Sequence, residues 1–314
     1  MMNEEAELHR LSFRLCHYTI MAPLIGLKVD VDTLEGYLQG VPSLLRQMAE
    51  AGVKATFFFS VGPDRSGVAV RRFFTQRGFV SKMLRTRPLN KLSPSNMLYG
   101  TVLRAPLIVP ADPALVRAVH EAGHEVGVHA WDHIGWHDRV GRMSAQQIRS
   151  WLEPAYDQLD EIIGQPVTSF AAPGWQCSLE SLRYHDERGL LYASDTRRGA
   201  GAFRPRIGDE TFRTPQLPTN LPTLDEMWGL TAHSQAEVAQ VWLGLLEPDS
   251  NVLTIHTEME GMALTGLLEE FVAAAREREA RFCPLRELVT GAELPVREIG
   301  PGRLPGRAGK VWIS

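Results

Sequence analysis

The 314-residue chain has 44% hydrophobic and 22% charged residues and a formal net charge of -4, an ordinary globular composition whose balance argues against a nucleic-acid partner. Its three cysteines, Cys16, Cys177 and Cys283, are scattered and odd in number, which excludes a disulfide framework or zinc ribbon and makes a reducing compartment the simplest setting. No apolar run approaches the ~20 residues that a membrane-spanning helix needs.

The chain opens Met-Met-Asn-Glu-Glu-Ala-Glu, acidic where a secretory signal is basic. Residues 1–21 read as an N-terminal extension, because Met21 begins a credible first strand over 24–30 that ends in Asp30-Val31-Asp32-Thr33. Residues 36–52 carry Val41, Leu44, Leu45 and Met48 on one helical face, with Gly52 beyond its end. Residues 53–61 are dense in β-formers and read as a second strand. The following insertion, 65–111, has nine Lys or Arg and no Asp or Glu, interleaved with residues such as Phe73, Phe74, Met83, Leu84, Met97 and Leu98. Two readings stand side by side: a solvated basic excursion with a small core, or a surface that meets anionic lipid head groups.

Asp112 is placed as N-cap and Pro113 as first residue of a helix to 122. Valines at alternate positions make 125–130 a short half-buried strand, which delivers His129, with His133 four residues on. That spacing suits a divalent metal, which takes neutral imidazole nitrogens; a pair of satisfied, partly buried histidines at a helix start is the plain alternative. Strands over 167–172, 191–195 and 252–256 alternate with helices over 144–163, 179–188, 235–246 and 264–279. Pro154 is expected to bend the longest helix. The tail 294–314, rich in Gly, Pro and Arg, reads as loosely ordered. Alternating strand and helix predicts a parallel sheet with helices outside. In a (β/α) barrel, strand C-terminal ends share one catalytic face, which here collects Asp30, Asp32, His129, Pro173, Asp195 and His256.

With those residues in place, the chain resembles the polysaccharide deacetylase family from about residue 24 to 288. Asp30-Val31-Asp32, His129-Ala130-Trp131-Asp132-His133, Ala171-Ala172-Pro173-Gly174-Trp175, Asp195 and Leu253-Thr254-Ile255-His256 are similar to its five motifs in order. The resemblance implies a distorted (β/α) barrel, of seven strands, occupying 22–293. It also implies one divalent metal, with zinc, manganese, cobalt and iron all compatible, held by Asp32, His129 and His133, and Asp30 as catalytic base. Pro173, Gly174 and Trp175 would line the substrate groove. Longer blocks, such as Phe58-Phe59-Ser60-Val61-Gly62-Pro63-Asp64 and His256-Thr257-Glu258-Met259-Glu260-Gly261, resemble the branch that removes formate from an aminoarabinose carried on undecaprenyl phosphate. That branch implies a role in lipid A modification and resistance to polymyxin-type peptides. One departure stands out: family members often place an arginine at the start of the third motif, paired with the base, where this chain has Ala171. Arg197, Arg198 and Arg204 are the candidates to replace it.

The chemistry agrees with the resemblance. A metal with three protein ligands keeps positions open for water and the substrate carbonyl. Asp30, two residues from Asp32 on an extended strand, shares its face and can accept the water proton. His256 is the expected acid for the leaving amine, with Asp195 fixing its tautomer. Glu258 either contacts the sugar or caps its loop, and His137 is expected on the surface. The expected partners are a lipid-linked sugar and an anionic membrane surface, met through Arg71, Arg72, Arg77 and Lys82, and no nucleic acid. The expected location is the cytoplasm, peripheral to the inner membrane. The competing readings are a deacetylase of another N-acylated sugar and a non-catalytic sugar-lipid binding module.

Overall fold

In the computed structural model, which describes residues 22–71, 93, 96–289, 293–307 and 309–314, the first strand lies at the centre of the architecture. This strand, β1 (Leu24–Val31), has every residue after Leu24 buried, as a parallel strand covered on both faces requires. It is followed by β2 (Thr56–Phe59), β3 (Glu125–Val128), β4 (Ser169–Phe170) and β5 (Tyr192–Ala193). A side ribbon, β6 (Arg204–Ile207) and β7 (Glu210–Thr211), precedes β8 (Ser250–His256) and β9 (Arg281–Cys283), which return to the sheet. The seven-stranded sheet has the order β5-β4-β3-β2-β1-β8, all pairs parallel. Strand β9 pairs with Leu24–Gly26 of β1, below the stretch Lys28–Val31 that β2 occupies. The gap between β5 and β8 is filled by residues 215–221: Ala193 N donates to the Pro215 carbonyl, Leu217 N to Ala193 and Leu221 N to Val252. The sheet thereby curls into the distorted barrel expected from the sequence.

Amphipathic helices cover the outside. Helix α1 (Val41–Ala51) ends on Gly52, whose φ of 61° supplies a left-handed cap. Asp112 caps α2 (Pro113–Glu121) by accepting from Ala114 N. Helix α3 (His133–Arg139) is followed by α4 (Ala145–Ile163), which starts at a Ser144–Gln147 capping box and runs through Pro154 without ending there. The expected helix 36–52 begins with a π-helical turn, Gly36–Gly40, before α1. That turn abuts the loop after β8, and a Cβ on Gly40 would run into the Thr257 carbonyl.

One expectation changes. The tail is ordered: β10 (Val296–Glu298) pairs with β6, and β11 (Gly300–Gly302) forms a hairpin with β12 (Val311–Ile313). Arg307 from that hairpin stacks on the Trp175 ring, 4.5 Å from its centroid, and lies 3.4 Å from Glu226. The glycines and prolines supply turns between these contacts. The root of the 65–111 insertion is also fixed: Asp64 N donates to the Pro106 carbonyl, Ile108 N to Gly62, and Ser93 N to Glu35 Oε2. Residues 1–21, and the expected docking residues Arg72, Arg77 and Lys82, lie outside the described residues; for Arg71 only the backbone, ending the 3-10 segment Ser66–Arg71, is described. No helix among the described residues is long and apolar enough to cross a membrane.

Gly40→Ala should lower the denaturant midpoint by an amount equivalent to about 1–3 kcal/mol, the usual range for overpacking, because backbone rather than a pliable side chain faces the added carbon. An unchanged midpoint would show that the turn at 36–40 and the loop after His256 do not depend on this close approach.

Candidate active site

The C-terminal ends of β1 and β3 bring Asp32, His129 and His133 together, with one ligand atom from each lying within 4.8 Å of the others. The two histidines come from different local structures. His129 extends β3 by one ladder bond, its N donating to the Phe59 carbonyl. The chain then turns through Ala130, at φ 70°, and Asp132 caps α3 by accepting from Gly135 N at 2.8 Å, which puts His133 in the first helical turn. His129 Nδ1 donates to the Ala171 carbonyl at 2.7 Å. In the neutral ring this leaves a lone pair on Nε2, which faces Asp32 Oδ1 at 3.3 Å; His133 Nε2 faces Asp32 Oδ2 at 3.4 Å. A proton or a shared cation satisfies a nitrogen and a carboxylate oxygen that face each other at such distances. The donor set, with the His129 tautomer fixed by a carbonyl, fits a divalent metal. Burial works against the Asp32 charge, but His133 and His129 outweigh it and hold its pKa well below the usual carboxylate range.

Asp30 and His256 are register partners on the adjacent strands β1 and β8, so both project from one end of the barrel. Asp30 is buried and His129 Nε2 lies 3.9 Å from its Oδ2. The backbone N of His256 donates to Glu260 Oε2 at 2.8 Å. Burial opposes the His256 charge, yet Asp32, Asp30, Asp225 and Glu260 together raise its pKa above the ordinary histidine value. A divalent ion at Asp32 would cancel the first of these contributions and itself oppose the imidazolium, so the rise belongs to the site without metal.

The remaining sequence-predicted residues are placed differently from one another. The Asp195 carboxylate does not engage His256; its Oδ2 is shared by His185 Nε2 at 3.2 Å and Gln216 Nε2 at 3.0 Å. The carboxylates that act on His256 are instead those of Asp32, Asp30, Asp225 and Glu260. Trp175 does not line an open groove: it is buried, its Nε1 donates to Thr219 Oγ1 at 3.3 Å, and Lys28, Arg197 and Arg307 surround its ring. Glu258 is a loop brace, since its Oε1 accepts from Thr33 N at 3.0 Å and Thr33 Oγ1 at 2.7 Å; burial, then Asp32, pushes its carboxyl up to about 7. Pro173 is buried, and Gly174 lies directly against the His137 ring, so His137 packs on the third-motif loop instead of standing clear on the surface.

Three residues went unassigned in the sequence. Lys28, fully buried, puts its Nζ 3.4 Å from Asp30 Oδ2; a lone cation inside an otherwise apolar strand was the available signal. Burial lowers the Lys28 pKa, opposed first by Asp30 and then by Asp195. Asp64 Oδ2 accepts from Leu34 N at 2.8 Å and so fixes the loop beyond Asp32. Arg65 meets Asp132 Oδ2 at 3.1 Å, which ties the insertion's first residue to the cap of α3. No local pattern marks either of these last two contacts.

Comparison with known proteins follows this geometry. The family model described as polysaccharide deacetylase matches residues 30–193. A Shewanella sediminis protein named "Probable 4-deoxy-4-formamido-L-arabinose-phosphoundecaprenol deformylase ArnD" is 34% identical over 92% of this chain and 93% of its own length. A protein of the same name from Wigglesworthia glossinidia brevipalpis is 32% identical over 88% and 96%. Among solved structures, a Mycobacterium smegmatis protein described as a candidate polysaccharide deacetylase superposes with a TM-score of 0.62 at 18% identity, covering 92% of this chain and 97% of the other. A CE4-family pseudoenzyme from Bacillus anthracis superposes at 0.52 with 15% identity, covering 88% and 69%. The last two comparisons speak for the fold.

His129→Ala and Asp32→Asn should each purify with less than about a tenth of the parent's divalent metal, measured by inductively coupled plasma mass spectrometry, as loss of one of three ligands predicts. Full occupancy in either variant would remove that residue from the ligand set.

Proposed function

This chain belongs to the polysaccharide deacetylase family, and from that membership and the geometry of the site we propose that it is a metal-dependent hydrolase. Its substrate on this reading is 4-deoxy-4-formamido-L-arabinose on undecaprenyl phosphate, from which it releases formate. The observation that carries hydrolysis is the register pairing of Asp30 with His256 beside the Asp32, His129 and His133 group. The choice of a formyl group on a lipid-linked sugar is supported by the names of two relatives aligned over nearly the whole of both chains. The cellular role on this reading is aminoarabinose modification of lipid A and polymyxin resistance.

A divalent ion held by Asp32, His129 and His133 would supply Lewis acidity toward the formyl oxygen and acidify a bound water; zinc, manganese, cobalt and iron all suit two imidazoles and a carboxylate. Asp30 takes the proton of the attacking water. His256, paired in register with Asp30, donates to the sugar nitrogen as the C–N bond breaks, so that an amine and not an amide anion departs. Glu260 holds the His256 backbone, and Asp225 and Glu260 supply the negative field that the expected partner Asp195 does not. The fold is shared with a protein described as a pseudoenzyme, so activity is argued from this residue set and not from the barrel.

Substrate delivery is the second part of the proposal. The 65–111 insertion roots beside both metal motifs, through Asp64 on Leu34 and Arg65 on Asp132. Its described part leaves Met97, Leu98, Val102, Leu103 and Leu107 exposed, Val102 at 78%. With nine cations and no anions in the segment, this surface suits an anionic leaflet, at about 1 kcal/mol per cation within a Debye length. The protein on this reading works at the cytoplasmic face of the inner membrane.

Purified protein should release formate from the formylated lipid-linked sugar and leave the N-acetyl analogue at least about 100-fold slower. Equal rates on both would favour a general deacetylase. Asp30→Asn and His256→Ala should each lower kcat by about 10²–10⁴-fold, the usual span for general acid–base groups, with the metal retained. A loss below about tenfold would sink either assignment. Arg71, Arg72, Arg77 and Lys82 changed together to Glu should weaken binding to anionic vesicles and raise KM for the lipid-linked substrate, while sparing a short-chain analogue. Unchanged vesicle binding would leave the insertion as a solvated excursion.

A further inference from the structure

The buried carboxylate of Asp30 needs a cation, and the third-motif position that might have supplied one is Ala171. The three arginines expected to replace it are occupied elsewhere. Arg197 makes a two-pronged pair with Glu226, at 2.6 and 2.9 Å, and donates to the carbonyls of Thr219 and Leu221. Arg198 donates to the Arg303 carbonyl and Arg204 to that of Phe212. Lys28 fills the role from the same strand. It precedes Asp30 by two residues, so the alternation of β1 puts both side chains on one face. Its side chain is fully buried, with Nζ 3.4 Å from Asp30 Oδ2.

The surroundings of Lys28 leave its ammonium little freedom. Nζ lies 5.0 Å from the Trp175 ring centroid and 5.8 Å from that of Phe58, and it has no aligned hydrogen-bond acceptor among the described atoms. Trp175 is itself fixed by Thr219 and by two guanidiniums at 4.5 Å. The cation is thus caged by aromatic faces, and Asp30 is the carboxylate in ion-pair contact with it. We propose that Lys28 is the positioning residue of Asp30: its ammonium fixes the carboxylate with Oδ2 turned toward the metal-ligand group, 3.9 Å from His129 Nε2. This inference rests on Asp30 being the base. It also gives Trp175 a purpose other than lining a groove, as the wall that keeps the ammonium against Asp30.

The test is a double-mutant cycle read on formate release from the formylated lipid-linked sugar, with metal content and melting temperature recorded for each variant. Lys28→Met keeps the chain length and removes the charge. It should lower kcat about 10- to 100-fold, the scale of a misplaced catalytic group, with KM within about threefold and metal retained. In an Asp30→Asn background the same substitution should change kcat less than about twofold, because there is no longer a carboxylate to position. Lys28→Arg should recover part of the loss. A full additive loss in the Asp30→Asn background, or a Lys28→Met enzyme within threefold of the parent, overturns the proposal. If Lys28→Met does not fold, Lys28→Arg carries the cycle: the displaced charge should cost at least about fivefold in the parent and nothing in Asp30→Asn, and an equal cost in both overturns it. An Asp30→Asn enzyme that keeps full activity would instead refute the base assignment, a result separable from failure of the Lys28 role.

Discussion

Two carboxylates two residues apart at the end of one strand, both drawn out of water, set the constraint that the site answers. Asp30 and Asp32 would repel each other at the mouth of the barrel, and removing an ion from water costs several kcal/mol even after relaxation. The structure meets Asp30 from below with the buried Lys28 ammonium and faces Asp32 with two imidazole nitrogens whose geometry suits a metal. Asp30 therefore has its own cation in Lys28, and Asp32 stands where a bound metal would serve as its own. On the proposed mechanism that division separates a group that moves a proton from a group that holds an ion, one in the last pleat of β1 and the other just beyond it.

The rest of the barrel keeps those charges in register. Strand β1 takes β8 along one edge and both β2 and β9 along the other, so the strand cannot slide without breaking three pairings, two of them at the end that carries Asp30. The loop beyond Asp32 is held by Glu258 through Thr33 and by Asp64 through Leu34. The loop beyond His256 is held by Glu260 and by the close approach of Gly40. The C-terminal hairpin completes this frame by placing Arg307 on Trp175. Apart from Glu260 on His256, these contacts join segments at least 30 residues apart, and they tie a run of loops together.

Much of this was legible in the sequence because it depends on local pattern. Buried parallel strands write themselves as apolar runs, and the strand-end positions of Asp30, Asp32, His129 and His256 followed from where those runs stop. What was not legible depends on which distant side chain meets which. Asp195 sits at a strand end like the others, yet His185, ten residues earlier on α5 (Leu179–Arg188), and Gln216 claim its carboxylate. Trp175 belongs to a motif-like turn, yet the tail covers it. The tail's Gly and Pro content suggested disorder, because composition does not reveal that Glu226 awaits an arginine. Lys28 was visible as an anomaly in β1, and the engagement of Arg197, Arg198 and Arg204 elsewhere gives the anomaly its meaning.

The central claim is that one divalent ion at Asp32, His129 and His133 makes this barrel a hydrolase. Stripping the protein with a chelator and titrating a divalent metal back, while following formate release from the formylated lipid-linked sugar, tests it most directly. The account predicts negligible activity without metal and a linear rise that breaks at one ion per chain, with no recovery in Asp32→Asn at the same metal concentrations. Full activity in the stripped protein, or recovery in Asp32→Asn equal to that of the parent, would contradict it.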